Sequence, residues 1–379
     1  MRFVIFTHSL VSDWNHGNAH FLRGFASELI RRGHDVDILE PANGWSRTNL
    51  VANHGEEAIA GFHQAYPLLR ETTYDEATLD LDAALDNADV VLVHEWNSGE
   101  LIRRIGEHHA RTDSYLLYFH DTHHRAVTSP GAMAAYDLRH YDAVLAYGGV
   151  LCDLYRRNGW AREAIAWHEA ADTNVFRPIH GEEKEGDLVW IGNWGDDERT
   201  AELREFLIEP VRKLGLKARV YGVRYPAAAL DELREGGIEY GGWLPNYKVP
   251  EVFARFRVTV HIPRRPYAEA LPGIPTIRPF EALACGIPLI SAPWRDSEGL
   301  FRAGFDFLTA SNRRDMVASL EAVMTNEALR RSLIVNGLQT IRARHTCAHR
   351  TNELLDIVAA AGAATEAPRA AMAEPVKGR

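Results

Sequence analysis

The sequence predicts an α/β protein of two Rossmann-like, doubly wound domains that face each other across a cleft. Three observations carry this reading. Short continuous apolar runs alternate with helix-patterned stretches along the chain, as in parallel sheets covered on both faces. The length of 379 residues suits two domains of about 100–200 residues each. The polar, charged segment 177–186, punctuated by Pro178, Gly181 and Gly186, reads as a linker between two sets of βα units.

Strands are expected at 2–9, 35–40, 90–95, 115–121, 143–147 and 164–168 before the linker. After it they are expected at 188–193, 218–222, 238–240, 258–262, 288–291 and 305–309. The clearest helix is 19–32, with Phe21, Leu22, Phe25, Leu29 and Ile30 on one stripe. Asn18 is its expected N-cap and Gly33 its C′ residue. The domains are then 1–176 and 187–335, and the alanine-rich end 360–379, with Pro368 and Pro375, is expected to be a disordered tail.

Composition narrows the class of function. Hydrophobic residues make up 46% and charged residues 25%, close to globular averages. Lys+Arg 42 against Asp+Glu 52 gives −10, whereas a nucleic-acid binder shows a basic surplus. A local basic pocket for a phosphate is compatible with that balance. The three cysteines Cys152, Cys285 and Cys347 lack metal-ligand spacing and point to a reducing compartment. No apolar run approaches the ~18–20 residues of a membrane span, and the N-terminus enters a strand without a signal-peptide pattern. The expected location is cytoplasmic.

Ligands of open α/β sheets bind beyond the carboxyl ends of the strands. Four first-half strands end in polar pairs there: His8-Ser9, His94-Glu95, His120-Asp121 and His168-Glu169. Together they suggest a shared crevice; singly, each fits a helix cap or a buried loop. His120, Asp121, His123 and His124 lack the His-Glu-x-x-His spacing of a helical metal site, and no metal is expected. The first βα connection lacks Gly-x-Gly-x-x-Gly, which demotes a dinucleotide enzyme although Glu40 ends the second strand. The loop Asn15-His16-Gly17-Asn18 either touches a ligand or is an ordinary turn.

The second half carries the sharper signal. Leu271-Pro272-Gly273-Ile274-Pro275-Thr276 feeds a helix that begins at Ile277 and ends before Gly286. Such a loop and helix N-terminus present unpaired N–H groups and a positive dipole, which suit a diphosphate. Glu281 could accept hydrogen bonds from a ribose, or be an ordinary glutamate favoured by the dipole. Gly192 and Asn193 follow the first strand of this half. Arg199 lies near a helix start, where a cation is unfavourable unless an anion joins it; the plain alternative is a pair with Asp196 or Glu198. Arg224, Arg264 and Arg265 follow other strands and are available to a phosphate.

At residues 278–290 the chain resembles the GT-B glycosyltransferases of the group-1 (GT4-like) family. Glu281-Ala282-Leu283-Ala284-Cys285-Gly286-Ile287-Pro288-Leu289-Ile290 is similar to its E-A-x-A-C-G-x-P-V-I signature. Arg31-Arg32-Gly33-His34-Asp35-Val36, His94-Glu95-Trp96, His120-Asp121 and Asp172-Thr173-Asn174-Val175-Phe176-Arg177-Pro178 resemble further family segments in the same order. Thr276-Ile277-Arg278-Pro279-Phe280-Glu281 resembles most the spore-protein-related (CgeB-like) branch.

The resemblance implies a transferase that moves a sugar from a nucleotide-diphosphate-sugar, metal-independent, without a cofactor and retaining configuration. It implies a last helix, 336–359, that crosses back to the first domain. Glu281 would hold the ribose, the amides of Gly273, Ile274 and Thr276 the diphosphate, and Trp243 and Leu244 the base. Gly192, Asn193, Arg199 and Arg224 complete the donor side. His120, with Asp121, would lie by the transferred sugar, and Arg199 would meet the leaving diphosphate. His16, Gly17, Asn18, His20, His94 and Trp96 would face an unidentified acceptor: a glycan, a lipid-linked sugar or a small molecule. No nucleic-acid partner is expected, and peripheral membrane contact is compatible with the sequence. Two departures stand out. Asn193 replaces the family's first basic residue, and Gly273 replaces the first of its paired glutamates, which bears on sugar identity and stereochemistry. The rival readings are an epimerase or hydrolase of nucleotide sugars and a non-catalytic nucleotide-sugar binder.

Overall fold

The computed structural model describes residues 1–15 and 17–371. His16 and residues 372–379 lie outside the described residues. The first sheet contains β1 (Arg2–Phe6), β2 (Asp35–Pro41), β3 (Glu71–Tyr74), β4 (Val90–His94), β5 (Leu116–Asp121), β6 (Ala143–Ala146) and β7 (Ala164–Ala166). The second contains β8 (Leu188–Ile191), β9 (Ala218–Tyr221), β10 (Ile238–Tyr240), β11 (Val258–His261), β12 (Leu289–Ser291) and β13 (Leu308–Thr309). All neighbours are parallel, in the orders β3-β2-β1-β4-β5-β6-β7 and β10-β9-β8-β11-β12-β13. In each sheet the winding reverses beside the first strand, so the ligand crevices open between β1 and β4 and between β8 and β11.

Burial explains why the strands were visible in the sequence. Phe3 and Ile5 pack on one face of the first sheet with Phe21 and Phe25, while Val4 and Phe6 pack on the other with Val91 and Phe119. A strand buried on both faces has no polar alternation. β3 was not expected: it reads Glu-Thr-Thr-Tyr, lies at the sheet edge and buries only Tyr74.

The first helix spans Ala19–Arg31. Asn18 occupies its N-cap position without capping it; the side chain turns instead to His94, its Nδ2 lying 3.0 Å from His94 Nε2. The C-terminal crossing also differs from expectation. One helix spans Glu327–Arg344, the chain breaks at His345 and Thr346, and the last helix spans Cys347–Ala371. The break arises because the Ala171 N–H donates to His345 O at 2.9 Å and the Cys347 N–H donates to Ala171 O at 2.9 Å. The last helix then lies on the first, tied by Arg32 Nη1 to Asn352 Oδ1 at 2.6 Å and Nη2 to Ala348 O at 3.0 Å. It runs on through the alanine-rich segment, where a tail was expected, because alanine is the strongest helix former. Gly24 permits this packing: a Cβ there would lie 2.5 Å from Cys347 Sγ and 2.7 Å from Asp172 Cβ.

Candidate functional site

A cavity of about 680 Å³ lies between the two domains, lined by the carboxyl-end loops of both sheets. Of the residues expected from sequence, Gly17, Asn18, Trp96, Gly192, Asn193, Arg199, Arg224, Trp243, Leu244 and Thr276 line it. His20, His94, His120, Asp121, Gly273, Ile274 and Glu281 sit behind that lining.

Cationic groups gather on the second-domain wall. Arg199 lies over the Trp190 ring at 5.0 Å and donates to Ile262 O at 3.1 Å and to Asn193 O. Its Nε has no partner, and Glu198 pairs with Arg264 at 2.8 Å rather than with Arg199. Burial first, then the Arg264 charge, pushes the Arg199 guanidinium down to about 9. The Asp196 side chain lies outside the described residues; a half-buried cation with no carboxylate among the described residues favours an anion in the cleft. Arg224 and Arg278 also line the cavity. His261 is kept neutral by burial, pushed down to about 3, with Arg199 adding to the effect. Thr276 (φ +61°) and Arg224 (φ +59°), both lining residues, hold left-handed backbone that non-glycine residues rarely adopt.

Thr276 precedes the helix Ile277–Cys285, whose first N–H groups have no partner within the helix. Gly273 and Ile274 do not reach the cavity. Ile274 instead packs against Gly148, where a Cβ would lie 2.6 Å from its Cγ1, and the Gly273 N–H donates to Arg295 O at 2.7 Å. Of the expected diphosphate loop, Thr276 is the residue that faces the cleft.

Glu281 is fully buried. Its Oε1 accepts from Asn246 Nδ2 at 2.7 Å and lies 3.2 Å from His20 Nδ1, while Oε2 meets Arg278. Burial alone would raise its pKa, but Arg278 and His20 hold it below the usual range. Trp243 donates from Nε1 to Asp13 at 3.1 Å and stacks on His54 at 4.3 Å. Asn193 accepts the Val223 N–H at 2.8 Å and donates to Asn15.

On the first-domain wall, His94 and His120 lie beneath the surface. His120 packs against Trp167 at 5.0 Å, His94 at 5.5 Å and Phe21 at 6.0 Å, and burial pushes its imidazole down to about 3. Asp121 accepts the Tyr155 hydroxyl at 2.9 Å and the His123 N–H at 3.1 Å, and burial raises it to about 6. Farther along the same loop, His123 and His124 line the cavity, rings 4.0 Å apart. Trp96, 42% exposed, covers Arg125 at 4.5 Å. Glu169, His8, Asp13 and Trp45 also line the cavity; of these, only the strand-end positions of His8 and Glu169 gave any signal in the sequence. Among the described residues no group of three or more His, Cys, Asp or Glu is arranged to hold a metal ion.

Two parallel Rossmann-like sheets with a cleft between them define the GT-B fold. Residues 199–356, in the second half of the chain, match the family model described as glycosyl transferase-like. Among solved structures, the chain is similar to sucrose-phosphate synthase from Thermosynechococcus elongatus, with 12% identity, TM-score 0.64, and coverage of 96% of this chain and 100% of that one. It is similar to HepE of Anabaena in complex with UDP and glucose, with 11% identity, TM-score 0.66, and coverage of 95% and 99%. It is also similar to a DNA-modifying β-glucosyltransferase studied with and without uridine diphosphoglucose, with 14% identity, TM-score 0.62, and coverage of 94% and 99%. None of the curated proteins matches the chain by sequence. Among the described residues no helix is long and apolar enough to cross a membrane.

Proposed function

We propose that this protein is a glycosyltransferase of the group-1 type, nearest its spore-protein-related branch, which moves a sugar from a nucleotide-diphosphate-sugar to a hydroxyl acceptor. The observation that carries the reading is Arg199: a half-buried guanidinium at the cleft wall with no carboxylate partner among the described residues, lining the same cavity as Thr276 at the start of the Glu281 helix. A diphosphate supplies the missing charge, and its departure is the step that the cation and the helix N–H groups assist. Arg278 and Arg264, each tied to a glutamate, add positive potential beside it. Two neighbours, HepE and the DNA-modifying β-glucosyltransferase, were crystallised with UDP or a UDP-sugar, which supports a nucleotide sugar as donor.

Under this reading no metal or cofactor takes part, because cationic side chains meet the diphosphate. Retention of configuration belongs to the same proposal; departure of the diphosphate on the face that the acceptor approaches requires no protein nucleophile. The acceptor enters past Trp96, His123 and Asn18 on the first-domain wall, and the protein acts in the reducing cytoplasm, where its three cysteines remain thiols. The test is transfer or hydrolysis by the purified protein across a panel of nucleotide sugars without added metal, with the product anomer read by NMR. Absence of binding and of turnover with every donor overturns the proposal.

A further inference from the structure

Glu169 follows β7 on a segment fixed at both ends. On one side the Trp167 N–H donates to Ala146 O at 2.7 Å and its indole donates to Arg350 O at 2.9 Å. On the other, Ala171 is bridged to Thr346. The carboxyl lines the cleft and is 5% exposed, yet among the described residues neither oxygen has a hydrogen-bond or ion-pair partner. Facing the cleft, such a group is open to a hydrogen-bonding ligand. The charges it feels are Glu281 and Arg278, and those two are engaged with each other. Tyr147, Tyr267 and Cys347 feel its charge in turn.

Thr276 and Arg278 line the same cavity, and Arg278 lies near enough for its charge to act on Glu169; the diphosphate reading sets the leaving group beside these residues. Chemically, the group next to that diphosphate is a pyranose ring bearing hydroxyls. We infer that Glu169 hydrogen-bonds the hydroxyls of the sugar carried by the nucleotide, a selectivity contact supplied by the first domain; this rests on the transferase reading. Burial, then the neighbouring Glu281 charge, holds the carboxyl up at about 8. At neutral pH it therefore offers one O–H donor and an acceptor oxygen, the pair a vicinal diol needs.

The test compares binding of four pairs by calorimetry: UDP and UDP-glucose, GDP and GDP-mannose, TDP and TDP-glucose, ADP and ADP-glucose. For a pair that binds, Glu169→Ala should weaken the sugar nucleotide about ten- to hundredfold while the bare nucleotide stays within about twofold. Glu169→Gln, which keeps a donor and an acceptor, should stay within about threefold of wild type. Glu169→Asp, which retracts the group by one methylene, is the second probe should the alanine variant not fold, and should behave as Ala does. Equal weakening of nucleotide and sugar nucleotide, or no weakening of either, overturns the inference. A wild-type protein that binds none of the pairs overturns the transferase reading itself and this inference with it.

Discussion

His20 joins the two domains through Nδ1, while Nε2 anchors its ring within the first. Nε2 accepts the Asp172 N–H at 2.8 Å, so the proton resides on Nδ1, 3.2 Å from Glu281 Oε1. The residue expected at the acceptor and the residue expected at the ribose thus meet each other. Removing either should affect stability and donor binding together. Glu281→Ala strips a partner from His20, Asn246 and Arg278 and should cost about 3–5 kcal/mol, whereas Glu281→Gln should cost less. A double-mutant cycle of Glu281→Gln with His20→Ala, read by urea unfolding, should return a coupling of about 1–3 kcal/mol; additive effects contradict the link. Glu281 has a lowered folded pKa. Its contribution is therefore present above the unfolded value and lost as pH falls through the folded one, so the coupling should fade on acidification below the usual glutamate range.

Arg199 should show opposite effects on stability and binding. In the free protein it is a half-buried cation with no carboxylate partner among the described residues, so Arg199→Met should leave stability unchanged or raise it. The same variant should weaken nucleoside diphosphates by about tenfold or more while sparing the nucleoside. Thermal melts and calorimetry with UDP, GDP and uridine decide this. A variant that is less stable and binds diphosphate normally makes Arg199 a structural residue.

Glu169 has the reverse pH sign from Glu281. Burial and the Glu281 charge raise its folded pKa to about 8, above the ordinary glutamate value of about 4.3, so the folded state binds more protons than the unfolded state between those values. Wild-type stability should therefore decline across that window, by up to about 1.4 kcal/mol per pH unit from this group. Glu169→Gln removes the dependence, and the variant should gain on wild type between pH 5 and pH 8. Parallel stability curves for the two proteins would show that the carboxyl titrates normally.

Gly24 tests the packing of the last helix. Gly24→Ala sets a methyl against Cys347 and the Asp172 side chain and should cost about 1–3 kcal/mol. Gly33→Ala, at a left-handed position with open space around its Cβ, should cost less. Urea midpoints of the two variants make the comparison.

The sheets were legible because a strand buried on both faces leaves a run of apolar residues; only the polar edge strand β3 escaped. The signature around Glu281 was legible for the same local reason, since loop, helix and strand follow each other within a few residues. What the sequence hid is the depth of each side chain. His94, His120 and Asp121 end their strands at the cleft, but their side chains point beneath its floor, and His123 and His124 on the same loop reach the surface. Strand-end position fixes the neighbourhood of a residue, and the facing of the pleat decides whether it meets solvent. Glu169 stood in plain view at a strand end, yet its lack of a partner among the described residues depends on Arg278, in the other domain, being tied to Glu281, a relation across more than a hundred positions.

The bridge between Ala171 and Thr346 has a mechanical consequence. Both chain crossings between the domains, one leaving β7 and one entering the last helix, pass through this point and are bonded to each other there. Two ropes knotted together make one pivot, so any rotation of one domain against the other turns about it. Glu169, two positions from the knot, has a short lever arm and keeps its aim under such a rotation.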